Sequence, residues 1–538
     1  MALRPPWRAA RRSALAGSIS CVGDDGPRDR ERQRRDPELA AHARAERFED
    51  AVTVATERPY EIVIGIETHV ELGTLSKMFC PCSARWFGMP PNTLVCPVCL
   101  GLPGALPVPN RRAIELSMTA GLALHCEVPE HTKFDRKNYM YPDLPKGYQI
   151  SQYDLPLNVK GWLEITGDDG SPKRIGIIRA HLEEDTGKLL HGDGYSLVDF
   201  NRSGVPLLEI VSAPDMSSVT EALAYAEVLR EILIHSGVSE FRLEEGAARF
   251  DTNVSIRFRE DGQVRWPPQS EIKNLNSLRA VEQAVTFESQ RLWEDWQAGG
   301  EIRTRKAKIT VGWSPETGRT FLQRRKEEAE DYRYFPEPDL VALAPSRETV
   351  EHIRSSLPEM PSERRARFVA QYGLSDYDAR ILVSDPLLAA LFEGAVAAGA
   401  DAKTTANWIT GETLRFLRER SVRAAEIPFT AAQLAELVGL IVKREISATI
   451  AKDVFAEMWA SRKGPAAIVT EKGLRQVSDE AAIASVVDDV ISAQAKAVAD
   501  YRGGNKRALE ALFGGVMGRT KGKADPQVVR RVLTEKLG

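Results

Sequence analysis

The stretch EIVIGIETHVEL, residues 61–72, reads as a β-strand with two unlike faces. Ile62, Ile64, Ile66, Val70 and Leu72 fall on one side, and Glu67, His69 and Glu71 on the other. The alternation returns in RFDTNVSIRF (249–258), where Phe250, Val254, Ile256 and Phe258 alternate with Arg249, Asp251, Asn253 and Ser255. SEIKNL (270–275) likewise places Glu271 and Lys273 on one face. Strands that are oily on one side and densely charged on the other predict an antiparallel sheet, backed by a core and open to a polar cavity.

After about residue 350 the pattern turns helical. Ile483, Val486, Val487, Val490 and Ile491 follow the spacing of an amphipathic helix, with a cap at SDE (478–480). EIPFT (426–430) reads as a linker between two helical parts. The class is therefore α+β. The expected division is a disordered extension over 1–57, a sheet domain over 58–350 containing a cysteine loop at 79–100, a helical domain over 351–430, and a helical tail over 431–538.

A chain of 538 residues, 43% apolar, is long enough for several cores. No run approaches the roughly 18 apolar residues that a membrane span needs. With a net charge of -4, any nucleic-acid partner must be met by a local patch. One such patch runs from Arg502 to the C-terminus, with nine Lys or Arg against three acids. Residues 1–57 carry eleven Arg and no Lys. They read as an unstructured extension, whose first twenty residues resemble the start of an organelle transit peptide or reflect an upstream start codon.

Cys80, Cys82, Cys96 and Cys99 form a C-x-C followed by a C-x-x-C. Four thiolates in short loops can close a tetrahedral zinc site, and a closed site leaves no position for substrate, so the expected zinc is structural. The acidic strand faces suit a harder metal. Glu67, His69, Glu183, Glu184, Glu209 and Glu271 offer mainly oxygen ligands, which suits Mg²⁺ bound together with nucleotide phosphates. There is no phosphate-binding glycine loop, since EEDTGKLLH (183–191) lacks its first glycine and final hydroxyl. Phosphates would then be held by side chains such as Lys137, Arg202 and Lys273. No serine-nucleophile motif is present, and His125 beside Cys126 is an adjacent pair that rarely faces productively.

Several longer blocks resemble one family. VIGIETHVEL (63–72), KFDRKNYMYPDLPKGYQISQ (133–152), HLEEDTGK (181–188), LVDFNRSGVPLLEIVS (197–212), SEIKNLNS (270–277) and DYRYFPEPDL (331–340) are similar, in order, to the B subunit of the tRNA-dependent Asp/Glu amidotransferase. NWI (407–409) and VMGRTKGKADP (516–526) resemble that family's YqeY-type tail. The resemblance implies a large antiparallel-sheet cradle like that of glutamine synthetase, followed by helical domains. It implies an ATP-dependent carbon–nitrogen ligase with glutamine as amido donor, working in a heterotrimer with A and C subunits. ATP would phosphorylate the side-chain carboxylate of Glu-tRNA(Gln) or Asp-tRNA(Asn), and ammonia from the A subunit would displace phosphate. Carried over by position, Glu67, His69, Glu184 and Glu271 would bind Mg²⁺. Lys137, Tyr139 and Lys146 match positions near the active-site end of the ammonia path, and Asp251 and Lys273 match cavity residues. Arg202 is added to these catalytic candidates as a phosphate-holding side chain, and the basic tail, through Lys521, Lys523, Arg530 and Arg531, would meet tRNA. Location would be the bacterial cytoplasm, or an organelle if residues 1–57 act as a transit peptide.

Two tensions accompany these expectations. In an uninterrupted strand His181 shares a face with Glu183, not Glu184, so Glu184 would need a bulge to point inward. A non-enzymatic, zinc-containing RNA-binding protein would also explain the cysteines and the basic tail. It would not explain the acidic strand faces, which repel a phosphate backbone unless metal intervenes.

Overall fold

The computed structural model describes residues 59–300, 309–325, 332–475, 480–520 and 522–538. The extension expected over 1–57, the cap residues Ser478 and Asp479, and Lys521 lie outside the described residues.

The strand Glu61–Glu71 is central in a nine-stranded sheet. It runs antiparallel between Pro206–Ser212 and Ala248–Glu260. Outward on one side come Pro172–Glu184 and Asn158–Thr166; on the other come Ser270–Leu275, Ile309–Ser314 and Arg319–Arg325. The expected all-antiparallel sheet needs one correction. Ser270–Leu275 and Ile309–Ser314 pair in parallel, because the 20-residue helix Leu278–Gln297 lies between them in sequence and brings the chain back in the same direction.

The oily face is buried as the alternation requires. Ile62, Ile64, Ile66 and Val70 are at most 3% exposed, and each such side chain contributes roughly 1.5–3 kcal/mol on leaving water. Helices Arg111–Ala123, Val219–His235 and Leu278–Gln297 cover that face, adding Leu116, Tyr225, Leu229, Val281 and Leu292 to the same core. Each begins at a capping side chain, Asn110, Ser218 or Ser277, that accepts hydrogen bonds from the first-turn amides. With helices on one face, the charged face becomes the floor of a cleft. A three-stranded sheet of Asp135–Asn138, Tyr148–Ser151 and Phe335–Pro336 brings Lys137, Gln149 and Ser151 against that floor.

The helical region divides at a different place from the one expected. Helices on both sides of residue 430 share one core. Phe429, in the stretch read as a linker, is buried with its ring 5.3 Å from Phe455 and 5.8 Å from Trp459. A second core gathers Ile483, Val487, Val490, Leu512, Val529 and Leu533. The break between cores thus falls between Leu474 and Ile483. The helix read from periodicity at 483–491 is present, within Glu480–Ala493. Helix Arg347–Ser355 packs through Val350 and Ile353 on the sheet domain's core.

Candidate active site

Register builds the floor. His69 pairs with Glu209 on one neighbouring strand and with Arg249 on the other, while Glu209 pairs onward with His181. Because side chains alternate, these four residues share one face with Glu67, Glu71, Glu183 and Asp251. The result is two adjacent clusters.

In the first, one ligand atom each from His69, Glu183 and Glu209 lies within 4.8 Å of the others. His69 Nε2 is 3.3 Å from Glu209 Oε2, and His181 Nε2 is 3.3 Å from Glu183 Oε1 and 3.6 Å from Glu209 Oε2. Ser151 Oγ donates to Glu183 Oε1 at 2.7 Å and Gln149 Nε2 to Glu183 Oε2 at 2.9 Å. Lys137 Nζ stands 3.9 Å from Glu183. Burial alone would raise the Glu183 carboxyl, but Lys137 and His181 outweigh it and hold it down at about 2. Glu209, equally buried, is held well below the usual carboxylate range by His181 and His69. Lys137, against the pull of burial, is kept protonated by Glu183.

The second cluster joins Glu67, Asp251 and Glu271. Lys273 Nζ sits within it, 2.6 Å from both Asp251 Oδ2 and Glu271 Oε1, and Asn253 Nδ2 donates to Glu67 Oε1 at 2.9 Å. An ammonium thus already bonds two of the three carboxylates of this group. His69 and Glu67 alternate along one strand, so the clusters lie about 7 Å apart along it.

The expected Mg²⁺ set of Glu67, His69, Glu184 and Glu271 is therefore not one site. His69 belongs to the first cluster, Glu67 and Glu271 to the second, and Glu184 to neither. The strand Pro172–Glu184 keeps its register from Arg179 to its end, and its irregularity falls earlier, between Ile177 and Arg179. No bulge turns Glu184 inward. It faces the other way, pairs with Lys146, and accepts from the Ile150 amide at 3.0 Å. Both line a cavity of about 130 Å³ with Cys80, Cys99 and Tyr148. Lys146 thus meets Glu184 and neither acidic cluster.

Other expected residues fall as follows. Lys137, Asp251 and Lys273 reach the floor, and Tyr139 lies beside it, its hydroxyl 3.5 Å from Gln149 Oε1. Arg202 donates to the carbonyls of Thr186 and Gly187 at 3.0 and 2.8 Å, so it braces a loop. The cation that faces the floor there is Arg249, bound through both terminal nitrogens to Asp185 at 3.2 and 3.3 Å. Glu209 had a legible signal, as the one acid in the otherwise apolar run PLLEIVS. Arg249 and Asp185 did not, since their meeting depends on strand register.

The four cysteine sulfurs lie within 4.8 Å of one another and form no disulfide. Cys99 is pushed down to about 5, chiefly by its hydrogen bond with Cys80 and also by Lys77, while burial pushes Cys82 up to about 11. The loop they close also reaches the floor. Trp86 Nε1 donates to both oxygens of Glu71, at 2.9 and 3.1 Å.

Burial and the neighbouring Asp185 push the Glu71 carboxyl up to about 8. The folded protein then holds this proton more tightly than the unfolded chain does. Its stability must fall as pH rises from about 4.5 through about 8. Glu71→Gln keeps the acceptor for Trp86 and removes the buried charge. It should melt a few degrees above the unsubstituted protein at pH 8 and level with it near pH 5; a variant melting lower at both would contradict this.

In the tail, Lys523 is partly exposed. Arg530 pairs with Glu510 at 2.6 Å and Arg531 with Glu480 at 2.7 Å, each side chain about half exposed.

A sheet-floored cleft holding buried carboxylates beside histidine and lysine is thus the candidate active site of this chain. The chain belongs to the GatB family. Residues 62–351 match the GatB/GatE catalytic domain and residues 390–537 the GatB domain. The chain is 49% identical over 485 residues to the B subunit of the aspartyl/glutamyl-tRNA(Asn/Gln) amidotransferase of Carboxydothermus hydrogenoformans, covering 89% of this chain and 99% of that protein. The corresponding protein of Moorella thermoacetica is 49% identical over 89% of this chain and 100% of its own length. That of Geobacter sulfurreducens is 48% identical over 89% and 99%. Among the described residues no helix is long and apolar enough to cross a membrane.

Proposed function

We propose that this chain is the kinase and amide-transferring component of a glutamine-dependent amidotransferase that acts on Glu-tRNA(Gln), Asp-tRNA(Asn) or both. The observation that carries this reading is the convergence of His69, Glu183 and Glu209 beside Lys137, on a buried floor, in a chain of the GatB family.

A carboxylate resists attack by ammonia, so its oxygen must first become part of a leaving group. The substrate's side-chain carboxylate attacks the γ-phosphorus of ATP, ADP departs, and an acyl phosphate forms. Ammonia then attacks the acyl carbon, and inorganic phosphate leaves with the former carboxylate oxygen. His69, Glu183 and Glu209 would hold Mg²⁺. The fit rests on two carboxylates kept ionised although buried, and on His69 Nδ1, which is buried without a hydrogen-bond partner among the described residues. Bound there, Mg²⁺ would offset the charge of the phosphates. Lys137 and Arg249 add fixed positive charge at the floor, Asp185 orients Arg249, and Gln149 and Ser151 hold Glu183. Lys273 Nζ already stands 2.6 Å from Asp251 and Glu271 in the second cluster, so a divalent ion there would have to displace it, whereas Lys137 stands 3.9 Å from Glu183 in the first.

The four cysteines would hold a structural Zn²⁺, a fit that rests on four soft donors gathered around one point with no open position. Lys521, Lys523, Arg530 and Arg531 would contact tRNA phosphates. The ion pairs of Arg530 and Arg531 are exposed, and such pairs contribute little, so exchange for phosphate is cheap. An A subunit would supply ammonia and a C subunit would complete the assembly. The bacterial relatives support a cytoplasmic location. A non-enzymatic RNA-binding role leaves the carboxylate floor without a purpose.

Hydroxylamine intercepts acyl phosphates. The assembled trimer, given misacylated tRNA and ATP, should form the side-chain hydroxamate of the glutamyl or aspartyl residue with Mg²⁺ and none without it, the α-hydroxamate that hydroxylamine releases from the tRNA ester being counted separately. Side-chain hydroxamate that forms regardless of Mg²⁺ and ATP would remove the basis of the reading.

A further inference from the structure

Lys77, in the segment that leads into Cys80, is wholly buried, at 0% exposure. A lysine is almost never fully buried unless its ammonium is paired. Here Nζ donates to the carbonyl oxygens of Leu94 at 2.8 Å and Phe200 at 3.3 Å, and it stands 3.7 Å from Cys99 Sγ. The three hydrogens of an ammonium thus meet three acceptors. None of the three is a carboxylate. Glu184, across Gly204 from the lysine stem, is already bonded to Lys146. Of the partners of Lys77, only the Cys99 sulfur can carry a negative charge.

The charge of the cysteine loop explains why a cation belongs there. Four thiolates gathered around one divalent ion keep two negative charges in excess. Cys80 and Cys99 are buried, so water screens that excess poorly. The Cys96 amide, which donates to Cys99 Sγ at 3.2 Å, adds only a partial charge. An ammonium at Cys99 offsets one of the two full charges. The two carbonyls hold it in place from either side: Leu94 belongs to the stretch between the cysteine pairs, and Phe200 to the segment ahead of the strand Pro206–Ser212.

From this we infer that Lys77 is the countercation of the four-cysteine site, a positioning residue that touches no substrate and sets how firmly the zinc is held. The inference rests on the structural zinc proposed above and deepens it, since it gives the buried lysine and the charged metal centre one common explanation.

The test compares the assembled trimer with its Lys77→Met form, in which an apolar stem of similar length remains and the charge is gone. Each is titrated with a chelator of known zinc affinity, and the zinc-loaded and zinc-stripped forms are melted. Lys77→Met should hold zinc at least tenfold more weakly, the scale on which groups behind the metal ligands act. Its melting temperature should fall further in the loaded form than in the stripped form, because metal affinity and stability are linked. Equal zinc affinity, with both forms lowered alike, would mean that Lys77 only ties loop carbonyls together, and would overturn the inference. A countercation can cost no more than the metal it serves, so a Lys77→Met chain that fails to fold where zinc-free Cys80→Ala folds overturns it too. An unsubstituted trimer without zinc would defeat the zinc reading and this inference with it; a zinc-loaded trimer indifferent to Lys77 would defeat the inference alone.

Discussion

Glu183→Gln is expected to slow acyl-phosphate formation by about 10³-fold or more, the scale on which losing a preorganised charge or metal ligand acts. Two effects combine. The substitution removes one of the ionised groups of the cluster, and it forces an amide NH₂ against one of two donors. Ser151 Oγ and Gln149 Nε2 both point hydrogens at Glu183, one to each oxygen, and a carboxylate accepts both where an amide can accept only one. Glu184→Gln is the matched control, one residue away. It loses the Lys146 ion pair but touches nothing on the floor, so acyl-phosphate formation should change by less than about tenfold. Hydroxamate yield under single-turnover conditions reads both. The opposite order, with Glu184→Gln inactive and Glu183→Gln near normal, would show that the wrong carboxylate has been placed in the site.

Cys80→Ala should remove the bound zinc and lower the melting temperature by several degrees, because metal binding in a closed thiolate site is also folding free energy. The three remaining sulfurs leave one position open, and the loop no longer closes. Local loosening should be visible first at Trp86, whose indole is fixed by Glu71 and stands under the Arg202 guanidinium at 5.7 Å. Metal analysis and thermal unfolding of the same preparation check this together. Retained zinc with an unshifted transition would mean that the four cysteines serve another purpose.

Much of the fold was legible because the controlling signal is local. Alternation in residues 61–72 and 249–258 reports which face is buried, and the spacing of Ile483, Val487 and Val490 reports a helix face. What was hidden is what depends on pairing between distant segments. Glu183 and Glu184 are adjacent acids, and only the register of their strand decides which one faces His69. Arg249 and Asp185 meet although 64 residues separate them in sequence. The parallel strand pair was invisible in the strands themselves, since direction is set by the helix that joins them. Phe429 misled for a different reason: a proline-containing stretch reads as a linker, yet one buried ring is enough to tie both sides into a single core.

The central claim is that the substrate carboxylate becomes an acyl phosphate on this floor, and oxygen transfer tests it most directly. Misacylated tRNA carrying ¹⁸O in both side-chain carboxylate oxygens should yield inorganic phosphate with one ¹⁸O per amide formed, and the other ¹⁸O should remain in the amide. Phosphate free of ¹⁸O, formed in step with amidated product, would contradict it.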